Sequence, residues 1–508
     1  MQWGGLGSET CDGLEVAPDG SVFLAGTFQN NLVADSQVLQ SRGESDIFLF
    51  KTNAQGKVLW AKRAGSSLAD EVTAMTLDKN DHLICAGSFR LEADFDNLIL
   101  NATQNPKAIF VVKYNSSGQL IWGKSLNGDG LKDADAIACD QEGNIFLAGH
   151  FQDSLTVMDT TLYASGRTDF FLAKLSPNGN LIWALRQGQS GDTRATALGL
   201  TSGGDPIVAG YFNDTTRIAD TVLIANTDDR DMFLTRVSKN GQPLWARKAG
   251  GVFDKDVTGL VLDNADHIFI TGYLVGVMRF SETLVIQSST GNPDFFLLKY
   301  KPDGTPLTAR ALGGTMTQQT TSLILQNGNL ILTGFYSGNM SFDGFSFSAG
   351  AALNSFIAAF DSSLTCRWTK DIVSNSSAFA MEIAADPNET FWLGGSFLGQ
   401  VKFDEINLES SSFDLFLAKA NPNVTSTSGL ISKSQLFRAF PNPASDFVLI
   451  QTEVLDYTIE LLNSKGQVVW SGQNAPAIQL EHLPEGMYLL KFQTDTLTQS
   501  QKIVVQKR

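Results

Sequence analysis

The sequence predicts an all-β chain: a seven-bladed β-propeller of four-stranded blades, with an N-terminal strand closing the last blade, followed by a small immunoglobulin-like β-sandwich. Three observations predict it. Landmark residues recur at a period of about 60 over residues 1–420. Each period holds four strand-length runs that are apolar or alternate apolar with polar. No window keeps an i, i+3, i+4, i+7 apolar pattern over three helical turns.

Composition agrees with this class and excludes others. Charged residues are 18% of the 508 and glycines number 46, a bias toward turn-rich β structure over charged amphipathic helices. An apolar fraction of 43% rules out disorder. The net charge of −16 repels a phosphate backbone, so nucleic acid is excluded as a partner. No stretch approaches 18 consecutive apolar residues, so no transmembrane helix is expected. Four cysteines are too few for a disulfide-dense scaffold, and none recurs in register, so Cys11, Cys85, Cys139 and Cys366 are read as buried free thiols.

Three landmarks define the repeat. Tryptophans stand at Trp3, Trp60, Trp122, Trp183, Trp245 and Trp368, with Thr308 where one is missing, at intervals of 57, 62, 61, 62, 63 and 60. A Gly-x-Phe motif begins at Gly26, Gly87, Gly149, Gly210, Gly272, Gly334 and Gly395, reading Gly-x-Leu at Gly272 and Gly-x-Tyr at Gly334. The third, Asp-x-Phe-Leu-x-Lys, begins at Asp46, Asp169, Asp231, Asp294 and Asp414, with degenerate copies at Ala108 and Ser355. All three give seven units.

The second unit shows the internal plan: Val72 to Leu77, Leu83 to Phe89, Ile109 to Tyr114 and Leu120 to Lys124, the outer pairs joined by tight turns rich in Asp, Asn, Ser and Gly. Four-stranded units of this length are too long for most solenoids and fit propeller blades. The seventh unit lacks its Trp strand, and Met1-Gln2-Trp3-Gly4-Gly5 supplies it, latching the ring. The recurring tryptophans are expected to pack between neighbouring blades with the indole N–H on a carbonyl. The recurring Asp-x-Phe aspartates are expected to pack or to hydrogen-bond, because a catalytic site would break the symmetry.

On these motifs, residues 1 to 420 resemble the SBBP-type β-propeller repeat family, best seen at Gly143 to Phe151 and Asp169 to Lys174. Two units depart from the pattern: the sixth lacks its Trp and its Asp-x-Phe, and the second lacks its Asp. Such repeats specify fold and leave activity open.

Composition shifts after Lys419, and residues 421–436 read as a flexible linker. The remainder, 437–508, holds about seven short strands and resembles the type A C-terminal sorting domain of the type IX (Por) secretion system. The resemblance rests on Pro441-Asn442-Pro443, Gly466 in a mid-domain turn, Gly486-x-Tyr488 and the final Lys502-x-Val504 strand. It implies recognition by the outer-membrane translocon and a secreted or cell-surface cargo. A signal peptide is then expected, and Met1 to Gly5 has no charged or apolar leader, so the chain is expected to be trimmed or its start miscalled.

Topology puts the longer connections on one face, where a binding surface belongs. Acidic residues gather where the inner strand begins, and Asp12, Asp70, Asp133, Asp192 and Asp256 are the candidate channel-mouth carboxylates. A collar holding Ca2+ is one role for them; accepting hydrogen bonds from loop N–H groups is the preferred one. No metal or other cofactor is assigned. The sequence shows no Gly-x-Ser-x-Gly elbow, His-Glu-x-x-His helix or Gly-rich phosphate loop. His82, His150, His267 and His482 form no ligand spacing, and His82 and His267 read as solvated turn residues. A quinone-dependent dehydrogenase lacks its longer signature. The reading is therefore a non-enzymatic binding or display module for a polysaccharide or surface protein. The alternatives are a carbohydrate-active enzyme, recognised by His, Tyr, Arg and carboxylates converging in one cleft, and a structural surface-layer component.

Overall fold

A computed structural model describes residues 1–103, 107–225, 229–289, 291–421 and 438–507, less 441–443, 453–455, 464–466, 481 and 495–497. Among them the regular structure is β-strand throughout, and no α-helix is present. The chain divides into two compact units, Met1–Gly429 and Leu430–Arg508. The linker expected at 421–436 lies, apart from Asn421, outside the described residues.

In the larger unit the strands form repeats of four, antiparallel within each repeat. Repeat one runs Gly13–Val16, Val22–Phe28, Asp46–Thr52 and Val58–Ala64, and repeat two Glu71–Leu77, Leu83–Arg90, Lys107–Tyr114 and Leu120–Leu126. Repeats three, four and five begin at Lys132–Cys139, Thr193–Leu200 and Lys255–Leu262 and follow the same order. Repeat six is Gln318–Gln326, Asn329–Phe342, Phe345–Phe360 and Cys366–Ser374. The last is Ser377–Ala385, Phe391–Phe403 and Ile406–Ala420, whose outer neighbour is the N-terminal strand Gln2–Trp3. Third strands such as Asp169–Leu175 are buried at every position, because sheets cover both faces, and so they read as unbroken apolar runs. Outer strands such as Leu181–Gln187 are only partly covered.

The first strands of all the repeats line one cavity of about 610 Å3, so they surround a common channel. A bulge interrupts each of the first strands of repeats two to seven, and in repeats two, four, five and six its threonine reaches the next repeat. Thr196 Oγ1 donates to Val257 O (2.8 Å) and Thr321 Oγ1 to Ala380 O (2.7 Å), and Thr73 Oγ1 donates to Ala134 O. Threonine suits this role because its hydroxyl reaches a carbonyl the bulge leaves free.

Tryptophans clasp the outside. Trp60, Trp122 and Trp183 donate their indole N–H to Ser116, Pro177 and Lys239 carbonyls of the next repeat, at 3.2, 3.1 and 3.0 Å. Their rings rest on Gly118, Gly179 and Gly241, whose positive φ of 76 to 84° and missing Cβ make room. The Asp-x-Phe aspartates turn inward: Asp169 accepts from Ser165 N and Arg186 Nη1, at 2.8 and 2.9 Å. Between second and third strands, where the sequence shows only a long connection, repeats one to five have a two-stranded ribbon, such as Glu92–Phe95 with Leu98–Asn101, and in repeats six and seven the second and third strands themselves run on into it. The ribbon reaches back over the preceding outer strand, with Lys62 on Asp96 and Arg310 on Asp343, both at 2.7 Å.

Two sequence readings need correcting. Trp3 lies opposite Leu415, the residue after Asp414; in repeat one the residue after Asp46, Ile47, lies opposite Ala64. Trp3 is therefore the counterpart of Ala64, four positions beyond the repeat tryptophan, which is why its interval of 57 is short. Thr308 sits on the outer strand of repeat five, opposite Lys299, while the lost Asp-x-Phe at Ser355 belongs to repeat six, so the two losses fall in different repeats.

The smaller unit has a three-stranded sheet, Arg438–Phe440, Phe447–Gln451 and Ala477–Gln479, and a four-stranded one, Val468–Gln473, Thr458–Leu462, Gly486–Gln493 and Thr498–Val505. Val448, Ile459, Ile478, Leu490, Phe492 and Ile503 share its core. All four cysteines are free thiols; Cys11, Cys85 and Cys366 are buried and Cys139 only half so.

Candidate functional site

The strongest departure from the repeat symmetry lies where the first strands of repeats three to five begin. The bulge position carries threonine in repeats two, four, five and six, but Asp135 in repeat three. A carboxylate cannot donate to the next repeat, and Asp135 Oδ2 instead meets His150 Nδ1 at 2.8 Å. His150 Nε2 lies 3.7 Å from Asp133, whose other oxygen is 2.5 Å from Lys107 Nζ. Strand register places Arg194 beside Tyr211 and Asp256 beside Tyr273 at the same level. Arg230 joins them: it pairs with Asp254 (3.1 Å) and Asp256 (3.2 Å), donates to Tyr273 Oη (3.3 Å) and lies 4.9 Å over the Tyr211 ring.

Arg194 is the exception. Its Nε is buried without a hydrogen-bond partner, and no ion pair holds its guanidinium among the described residues. Its charge is nonetheless felt by Asp135 and Tyr211. At the same level in repeats six and seven stand aromatic rings in place of charges: Phe335 and Phe379 pack edge to face at 5.3 Å, and Phe379 meets Phe413 at 6.1 Å.

Electrostatics set these carboxyls apart. Burial pushes Asp135 above the usual range, opposed by its hydrogen bond to His150. Burial also raises Asp256, to about 6, with Arg230 pulling it down and Asp254 and Asp135 pushing it up. Burial opposes ionisation of Asp254 as well, but its bonds to Arg230 outweigh that and hold it below the ordinary value. Groups poised between pH 5 and 8 can exchange protons with a ligand. Burial also raises Asp12 of repeat one to about 6 and, further down the channel, Glu382 to about 8 and Glu15 to about 7, and Glu382 accepts from Ser322 Oγ at 2.9 Å.

The five candidate carboxylates therefore do not form one collar. Asp133 and Asp256 belong to the mouth just described. Asp12 lines the channel in repeat one, level with Asp135 since Gly13 and Ala136 lie opposite the equivalent Ala25 and Ala148, and accepts from Thr10 Oγ1 at 2.6 Å. Asp70 is fully buried and turns into its own loop, accepting from Ser66 N (2.6 Å) and Arg90 N (3.2 Å). Asp192 caps another loop, with Asn213 Nδ2 at 3.3 Å and Arg167 at 3.4 Å. They differ because they occupy different positions along the first strand, and alternate positions point to opposite faces. Among the described residues no three His, Cys, Asp or Glu side chains come together as a metal-binding set.

Sequence reading missed Arg194, Arg230, His150 and the two tyrosines. The signal was present: His150, Tyr211 and Tyr273 fill the middle of Gly-x-Phe in three successive repeats, where Thr27, Ser88 and Ser396 stand elsewhere. His82 and His267 are turn residues, paired with Asp78 and Asp263 at 3.0 and 2.9 Å. Of the sorting motif, Pro441, Asn442, Pro443 and Gly466 lie outside the described residues. Gly486 opens a strand, Tyr488 is buried with its hydroxyl on Pro484 O (2.8 Å), and Lys502 pairs with Leu489 across the sheet.

Residues 438–506 match the secretion system C-terminal sorting domain family. The match implies handling by a secretion system and export to the cell surface or extracellular space. Among the described residues no helix is long and apolar enough to cross a membrane. The chain is 24% identical over 473 residues to an uncharacterized WD repeat-containing protein of Acanthamoeba polyphaga mimivirus, covering 75% of this chain and 34% of that protein. It is 23% identical over 314 residues to regulatory protein FlaEY of Caulobacter vibrioides, covering 57% of this chain and 32% of that one. It thus spans about a third of the length of these curated relatives. Among solved structures it is similar to Synechocystis apocarotenoid oxygenase, with 12% identity, a TM-score of 0.41 and coverage of 83% and 93%. A second is a gluconolactonase of Xanthomonas campestris, with 10% identity, a TM-score of 0.28 and coverage of 65% and 94%. The architecture is all-β and propeller-like. These neighbours correct the expectation of a chain without chemistry: both are enzymes, and catalysis stays open, although likeness this remote transfers no activity.

Proposed function

We propose that residues 1–420 form a seven-bladed SBBP-type propeller. It leaves the cell by the type IX route through an immunoglobulin-like sorting domain at 437–508, and its channel mouth at repeats three to five binds a surface ligand, a polysaccharide by preference. Arg194 carries the reading. Its Nε, buried without a hydrogen-bond partner, is costly unless something reaches it, and the planar guanidinium fork suits an oxygen-rich ligand. Phe335, Phe379 and Phe413 offer apolar faces at the same level for a sugar ring. A glycan and extracellular-matrix array, read with and without Ca2+, tests this. Specific binding that Arg194→Gln abolishes supports it, and a blank array for the intact protein rejects it.

A carbohydrate-active enzyme on the same site is favoured by one observation, the convergence of His150, Tyr211, Tyr273, Arg194 and Arg230 with four carboxylates. Incubating bound glycans with the protein and resolving the products by chromatography decides between the readings. Cleavage lost in Asp135→Asn would establish chemistry.

A further inference from the structure

Guanidinium groups in the larger unit follow one rule. Among the described residues, Arg63, Arg186, Arg236 and Arg310 are half-buried and meet Asp46, Asp169, Asp205 and Asp343 at 3.0, 2.9, 2.8 and 2.7 Å. Arg230, also half-buried, holds Asp254 and Asp256. Arginines whose side chains lack such a partner, such as Arg90, Arg217 and Arg279, are exposed, where water serves them. Arg194 breaks the rule: it is half-buried like the first group and unpaired like the second, with its Nε fully enclosed.

The carboxylates around it are engaged elsewhere, Asp254 and Asp256 by Arg230, Asp133 by Lys107 and Asp135 by His150. Asp135 feels the Arg194 charge yet forms no ion pair with it among the described residues. A neutral hydroxyl reaching Arg194 would satisfy Nε and leave the positive charge uncompensated. A carboxylate does both, because its two oxygens match the Nε–H and Nη–H edge of the guanidinium in one plane. The fold itself supplies a carboxylate to each of the other five half-buried arginines named above.

We propose that the missing partner of Arg194 is a carboxylate carried by the ligand, so that the mouth at repeats three to five selects an acidic polysaccharide, one built of uronic acids, over a neutral one. The inference rests on the reading that this mouth binds a polysaccharide and adds the group that the polysaccharide must carry. The net charge of −16 repels such a chain at long range, so recognition falls to the short Arg194 contact and is strongest where salt screens the distant charges.

The test uses the full chain with oligomers of galacturonic and of guluronic acid, each beside its carboxyl-reduced counterpart, which keeps ring and linkage and replaces only the carboxylate with a hydroxymethyl group. Titration calorimetry in about 150 mM salt, where charges are screened beyond about 8 Å, is expected to show at least one acidic oligomer bound about tenfold or more tighter than its reduced form. Arg194→Gln should erase that difference, and Arg194→Lys, which keeps the charge and loses the planar fork, should recover only part of it. Equal binding of acidic and reduced oligomers overturns the inference and leaves the mouth a polysaccharide site. An acid preference that survives Arg194→Gln overturns it too, as does equally tight binding of dextran sulfate, which would mean that charge alone is read. Binding of neither acidic oligomer overturns it as well, and if the glycan array is also blank the underlying reading falls with it.

Discussion

Trp183 donates its indole N–H to Lys239 O at 3.0 Å while its ring covers Gly241, where a Cβ would stand 2.9 Å from the ring. One side chain thus joins two repeats by a hydrogen bond and by a shape that only glycine permits, since Gly241 has φ +84°. Trp183→Ala is expected to destabilise the larger unit by about 2 kcal/mol, less than full burial would cost because the ring is half exposed. Gly241→Ala adds backbone strain to the clash and costs about 1–2 kcal/mol. Thermal melts of both variants check this, and an unchanged midpoint for either contradicts the clasp.

Ring closure depends on the N-terminal strand. Trp3 is buried against Phe50, its indole N–H reaches Asp35 at 3.2 Å, and Gln2 Nε2 reaches Asp414 at 2.8 Å. Deleting residues 1–8 removes all three contacts and exposes the edge at Leu415–Leu417. A markedly lower melting temperature is expected, and an unchanged curve sinks the closure model.

Stability should fall as pH rises from acid to slightly alkaline. Glu9 is fully buried, neither carboxyl oxygen has a hydrogen-bond partner, and burial with Asp414 nearby raises it to about 8 from an ordinary 4.5. Between those values the folded state holds a proton that the unfolded chain has released, so stability declines across that window and levels off above it. Glu382, also raised to about 8, acts in the same direction. Melting temperatures measured from pH 5 to 9 should show the slope, and Glu9→Gln should flatten part of it and raise the value at pH 8.

The two mouth arginines should separate. Arg230→Ala strands Asp254 and Asp256 and lowers the melting temperature. Arg194→Gln breaks no ion pair and leaves the melting temperature near wild type while abolishing ligand binding. Loss of stability in Arg194→Gln would show that its role is structural.

Sequence alone determined the repeat, the four-strand plan and the closing N-terminal segment, because glycine, tryptophan and Asp-x-Phe positions obey local rules: a left-handed turn, a flat ring over it, a buried aspartate bonded to its own loop. The address at residues 438–506 was legible for the same reason, as a short ordered motif. Register escaped it at Trp3, since the residue opposite is fixed by pairing with a strand four hundred positions away. The candidate site escaped it further. Asp70 and Asp133 begin neighbouring strands, yet one turns into its own loop and the other faces His150 and Lys107. Which acidic residues meet, and which arginine is left without a partner, depends on side-chain direction and on three repeats converging around one channel, and only tertiary packing sets those.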